Sequence, residues 1–225
     1  MTVDLEGKTS VDTRGIIAGA LGILLAIDVH ECFHAWVADR LGDPTARYMG
    51  RISLNPIVHL DPLGAIMMLL ATISGRGIGW GKPVPVNPRN LRYGPRVGMG
   101  IVSFAGPFAN LVTATLIGLP LRLNAGLPGA LSMLFLQVMF INIGLAVFNL
   151  IPLPPLDGYG VLQGILASIR GPASYRLSQS LTVLEQRGPN LLFLLILASQ
   201  VLGLNLLWRF MDPLVWFFSR LIRGV

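Results

Sequence analysis

Four stretches of this 225-residue sequence contain no charged side chain: 15–27, 97–121, 123–156 and 188–208. A backbone entering hydrocarbon must satisfy its own N–H and C=O groups, and about 20 consecutive apolar residues cross a bilayer core as a helix. Only 12% of the chain is charged and 53% is hydrophobic, against about 25% charged residues in ordinary soluble domains. The expected fold class is therefore an all-α polytopic membrane protein, a bundle of about four to six transmembrane helices embedded in the lipid bilayer. One domain is expected over 1–225, with a core at 15–170 and C-terminal helices at 171–225. The single cysteine, Cys32, excludes an internal disulfide framework and a cysteine-rich structural zinc site. The net charge of +6 sits beside the apolar stretches and forms no basic stripe with interleaved aromatics. Membrane topology accounts for it, and no nucleic-acid partner is expected. The first fourteen residues are polar and of mixed charge, so the apolar run after them reads as a retained span and not a cleaved leader.

Residues 15–41 predict a first helix ending near Arg40 and Gly42, where a cation and a glycine give the usual stop. Gly-Asp-Pro and Asn-Pro breakers mark 42–62 as a surface loop, and the uncharged Leu63–Gly75 is short for a straight span, which suggests a re-entrant or tilted segment. Arg76, Lys82, Arg89, Arg92 and Arg96 follow with no acid among them, which places this loop in the cytoplasm by the positive-inside rule. Helices at about 97–121 and 130–150 form a hairpin around the turn at 124–129. Pro152, Pro154 and Pro155 then interrupt the chain at a depth where irregular backbone must be enclosed by protein or line a cavity. Helix resumes at 158–169, and a last span is expected at 188–208. The tail with Arg209, Arg220 and Arg223 reads either as interfacial or as a short return span. Within the basic loop, Pro83-Val84-Pro85-Val86-Asn87 reads as a small cytoplasmic-side β element. Its prolines remove N–H groups from one edge, leaving those of Val84 and Val86 to bind an extended substrate. A proline-rich surface loop is the alternative.

Reactive groups occur in two fragments. His30-Glu31-Cys32-Phe33-His34 places two imidazoles four residues apart on a helix, where an advance of about 400° and a rise of about 6 Å bring them to one face. Zinc hydrolases use such a pair, with the adjacent glutamate as catalytic base and a third protein ligand that leaves a fourth position open for water. Asp157, after the proline break, is the candidate third ligand. It also reads as a helix N-cap, and the two roles are compatible. Carboxylates at membrane depth cost about 2.5–3.5 kcal/mol on insertion scales, and one divalent zinc ion per chain would balance Glu31 and Asp157.

Three blocks in order carry a resemblance: His30-Glu31-x-x-His34, Ala105-Gly106-Pro107-x-x-Asn110 and Asn149-x-x-Pro152-x-Pro154-x-x-Asp157-Gly158. Together, over roughly residues 15–170, they resemble the site-2 protease family of intramembrane zinc metalloproteases, here in a compact form without a PDZ or CBS domain. The resemblance implies zinc bound by His30, His34 and Asp157, with Glu31 as base and Asn149, with Pro152 and Pro154, beside the scissile peptide. It further implies cleavage of a transmembrane partner, such as an anti-sigma factor-like protein, in a bacterial or archaeal plasma membrane with the active site towards the cytoplasm. A proteolytically inactive zinc-binding scaffold or quality-control protein is the alternative, and Glu31 argues against it because metal binding alone needs no base. Asn149 and Asn110 either meet substrate or hydrogen-bond neighbouring helices. His59 reads either as a loop residue or as a gate or auxiliary ligand over the metal. Cys32 points about 200° from His30 and is expected to pack. Asp28 has no assigned role.

Overall fold

A computed structural model of the protein describes residues 2–3, 9–10, 13–67, 81–169, 171–204 and 206–224. Its long helices are α1 (Thr13–Arg40), then, after the short α2 (Thr45–Tyr48) and α3 (Pro56–His59), α4 (Pro95–Arg122), α5 (Gly129–Asn149), α6 (Asp157–Ser168), α7 (Pro172–Val201) and α8 (Leu206–Arg223). By length and apolar composition, Gly15–Arg40, Pro95–Arg122 and Gly129–Asn149 are each able to cross a membrane. A fourth span is reached if α7, bent by 66° between Pro172–Thr182 and Arg187–Ser199, counts as one. The chain is a helical integral membrane protein, and its described residues supply three candidate spans, below the four to six expected, or four if the bent α7 is one.

Helix α4 is the central element and packs against α1, α5 and α6. Its buried positions are mostly small, including Gly100, Ser103, Ala105, Gly106, Ala109 and Ala114, so neighbouring backbones approach closely, as in other membrane bundles. A Cβ on Gly100 would come within 2.8 Å of the Gly164 Cα, which measures how tightly α4 and α6 meet. On the other side of α4, Ala114 joins Met139, Ile143 and Val147 of α5 and Met211 and Ile222 of α8 in one apolar cluster. Helix α7 is tied to α6 by a polar chain. The Tyr159 hydroxyl donates to Leu181 O, Ser178 Oγ donates to Gln163 Oε1, and Arg96 donates to Ser178 Oγ.

Several expectations need correction. The span expected at 188–208 is not one helix: α7 starts sixteen residues earlier, in polar sequence, and the chain turns after Val201. Leu202 and Leu204 N–H bond back to Ala198 and Ser199 carbonyls, and Ser199 Oγ accepts the N–H of Leu206 as α8 begins. The tail is helical, and Met211, Val215, Phe218 and Ile222 form a seam at i, i+4, i+7 and i+11 against the apolar cluster. The β element at 83–87 is not formed. Among the described residues the strands are Thr2–Val3 and Thr9–Ser10, paired with each other, and nearby there is only an isolated bridge between Leu60 and Gly81. The reason is that N–H groups in 83–87 find side chains instead of a strand, Val84 donating to Glu31 and Asn87 to Asp43. Of the expected re-entrant segment, residues up to 67 are helical from 62, and the rest lies outside the described residues, as does 76–80 of the basic loop.

Asp43 organises the ends of these loops. Fully buried, it accepts hydrogen bonds from the Thr45 backbone and hydroxyl, the Asn87 N–H and the Asn90 amide. Burial alone would raise its pKa, but these donors outweigh it and hold the carboxyl below the usual carboxylate value. Arg51, buried as well, donates to the carbonyls of Val58 and Lys82, and Lys82 N–H donates to His59 O. The 53–60 and 81–90 segments are thereby fastened to each other and to the end of α1.

Candidate metal centre

Helix α1 runs without a proline through His30 and His34, so its geometry stacks the two rings on the face turned to α4. Both are buried, with rings edge to face at 87° and Nε2 atoms 3.0 Å apart. The proline break ends α5 and starts α6 at Asp157, with the extended Leu156 at the N-cap position and no side-chain cap. Asp157 is therefore a first-turn residue and not the cap, at a helix end where backbone N–H groups favour an anion. Its Oδ2 lies 3.0 Å from His30 Nε2 and 3.3 Å from His34 Nε2.

These three atoms form the group that can hold a metal ion. Ligands about 2.0–2.1 Å from a tetrahedral zinc ion are about 3.3 Å apart, close to the separations seen here. The donor chemistry agrees. His34 Nδ1 donates to the Val102 carbonyl at 2.7 Å, so its Nε2 carries a lone pair. The buried Asp157 Oδ2 has no hydrogen bond of acceptable geometry. A buried acceptor left without a partner is costly, and a cation between the three atoms removes that cost. Gly106 faces the pair across the α1–α4 contact, where an added Cβ would come within 2.4 Å of His34 Nε2 and 2.7 Å of His30 Cε1. Only a residue without a side chain leaves the rings where they are.

Glu31, half-buried beside the centre, accepts the Val84 N–H at 3.1 Å through Oε2. The Val84 N–H is thus engaged by the protein itself, and Val86 packs on the Ala38, Leu91 and Val102 cluster. Asn149, the last residue of α5, is half-buried and donates to Leu145 O. Pro152 is exposed, whereas Pro154 is buried against Gly188 of α7. His59 does not join the converging donors: fully buried, it has Nε2 2.8 Å from the Ser53 carbonyl, and its Nδ1 has no partner. Asp28, also buried, interacts electrostatically with His59. Asn110 is on His30 Nδ1 at 2.7 Å and also contacts Asn142, a residue that sequence reasoning passed over. An isolated polar residue inside an apolar helix was the available signal.

A helical bundle with a buried two-histidine, one-carboxylate centre and an adjacent glutamate defines a membrane-embedded metallohydrolase. The description of Peptidase family M50 matches residues 124–186, a stretch that includes Asn149 and Asp157. A Bacillus subtilis protein named "Putative zinc metalloprotease YwhC" is 36% identical over 199 residues, covering 84% of each chain. Proteins named "Putative zinc metalloprotease Rip2" from Mycolicibacterium smegmatis and Mycobacterium tuberculosis are 33% and 32% identical, over 63% of this chain and 54% of their own length. No solved structure matches. The chain belongs to peptidase family M50, the site-2 protease family of membrane zinc metalloproteases.

Proposed function

We propose that the protein hydrolyses peptide bonds in or beside transmembrane segments of membrane-anchored partner proteins, with His30, His34 and Asp157 holding zinc and Glu31 as general base. The observation that carries this reading is the convergence of three donor atoms at 3.0–3.3 Å with Glu31 one residue from a ligand. When bound, zinc supplies a Lewis acid for the scissile carbonyl and lowers the pKa of water towards about 7. Glu31 takes a proton from the attacking water and returns it to the leaving amine. The Val84 N–H holds Oε2 of that carboxylate, which leaves Oε1 for the proton. Asn149, at the mouth of the proline break, is the side chain suited to hydrogen-bond the substrate backbone. The arginines of the 81–96 segment support a cytoplasmic position for the site in a bacterial or archaeal plasma membrane, and a single-span regulator of the anti-sigma type is the substrate class.

The test is cleavage of a panel of single-span substrates in detergent by wild type and Glu31→Gln, with zinc measured in both. Zinc in both and cleavage only by wild type is the expected result. Cleavage by Glu31→Gln at the wild-type rate would overturn the assignment of the base, and cleavage by neither would favour a zinc-binding scaffold.

A further inference from the structure

Resting on the reading of His30 as a ligand, the structure also shows what decides which nitrogen of His30 faces the centre. A neutral imidazole carries its proton on one nitrogen, and only the other can bind a metal. With the proton on Nε2, His30 would donate to the His34 Nε2 lone pair 3.0 Å away, and the two ligands would close on each other as a hydrogen-bonded pair. The opposite tautomer is required for two lone pairs to point at the Asp157 carboxylate.

A chain of buried amides selects it, and its polarity is fixed at both ends by main-chain carbonyls, which only accept. Asn142 is 2.9 Å from Val138 O, so the atom facing that carbonyl is its amide nitrogen and its oxygen faces Asn110. Asn110 places its own amide nitrogen 2.9 Å from Ala26 O and 3.0 Å from the Asn142 oxygen. Both N–H groups of Asn110 are then used, and its oxygen, 2.7 Å from His30 Nδ1, accepts a proton from that ring. Asn110 and Asn142 are both fully buried, so water does not compete for these bonds. The carbonyl partner that His34 finds directly in Val102 is supplied to His30 through two side chains on α4 and α5.

We propose that Asn110 and Asn142 act in series as positioning residues that hold His30 as its Nδ1–H tautomer and keep its Nε2 lone pair on the metal. Partners of this kind on ligand histidines affect metal affinity by about 10–100-fold. The two amides are one device, so removing both harms binding no more than removing Asn110 alone.

The experiment measures zinc affinity by chelator competition and the visible spectrum of the cobalt(II)-substituted full-length protein in detergent. It compares wild type, His30→Ala, Asn110→Leu, Asn110→Asp, Asn142→Leu and the Asn110→Leu/Asn142→Leu double variant. His30→Ala is expected to lose stoichiometric zinc. Asn110→Leu should bind zinc about 10–100-fold more weakly with an altered cobalt spectrum, and Asn142→Leu should show a smaller loss. Asn110→Asp loses the N–H groups that meet the Ala26 and Asn142 oxygens but still accepts from Nδ1–H, so it should bind zinc more tightly than Asn110→Leu. Wild-type affinity and spectrum in Asn110→Leu, or Asn110→Asp as weak as Asn110→Leu, would overturn the proposal while leaving the ligand set intact. Wild-type zinc in His30→Ala would overturn the ligand reading beneath it.

Discussion

His30, His34 and Asp157 are positioned by helix backbones, whereas the 81–90 segment over Glu31 is positioned by side chains. The ligands stand on α1 and α6, and α4 presses against both with residues small enough for near backbone contact. The covering segment has no regular structure between Gly81 and Asn87 and is held by Asp43, Arg51 and Glu31. Moving a ligand means deforming close-packed helices. Lifting the cover breaks a few hydrogen bonds, each worth about 0.5–1.5 kcal/mol net, or about 1.5–3 with a charged partner, and the packing of Val86. The candidate ligands thus stand on close-packed helices, and the segment over Glu31 is held by a handful of side-chain bonds.

Stripping the metal with a chelator, or replacing His34 by Ala, removes the rigid half of this contrast. Either should abolish proteolysis, with re-added zinc restoring only the chelated wild type, read by substrate cleavage and metal content. Glu31→Gln leaves the ligands in place and should lower turnover by about 10²–10⁴-fold, the usual contribution of general acid–base catalysis, at unchanged zinc content. Gly106→Ala pushes a methyl group into the imidazoles and should weaken zinc by about 10-fold or more, a loss comparable to removing a supporting partner of a ligand. Wild-type affinity in that variant would show that the helices give way and are not rigid. On the other side, Arg51→Leu strips the Val58 and Lys82 carbonyls of their charged donor. It should destabilise the cover by about 1.5–3 kcal/mol, seen as faster hydrogen exchange at Lys82 and Val84 with zinc affinity retained.

The smallest effect concerns Asp43. Its folded pKa is depressed, so it contributes stability above its unfolded value of about 3.9, and this is lost as pH falls through the lower folded value. Protection of the Asn87 and Asn90 amides, taken relative to the intrinsic exchange rate at each pH, should therefore fall at acid pH in wild type, with a flatter profile in Asp43→Asn.

The same contrast marks what the sequence made legible. The histidine pair, Glu31 and the proline break before Asp157 are local signals, because helix periodicity and proline chemistry act within a few residues. The hairpin of α4 and α5 was readable for the same reason. Residues 83–87 were misread as a strand because their N–H groups go to Glu31 and Asp43, 53 and 44 residues distant, and no local pattern records such partners. The last span was misplaced because α7 begins in polar sequence, whose helicity comes from packing of residues such as Ser178 and Leu181 on α6. Asn142 was missed because its importance depends on standing beside Asn110, and a lone asparagine in an apolar helix looks alike wherever it points.

The polar chain joining α6 to α7 has a thermodynamic consequence. Asp157 opens α6, Tyr159 of the same turn bonds α7, and Pro154 just before them rests against Gly188 of α7. These contacts join α7 to the turn that carries one of the three candidate ligands, and any coupling through them must be reciprocal. Zinc held at Asp157 would then strengthen the seating of α7 by the same free energy with which a seated α7 strengthened the hold on zinc.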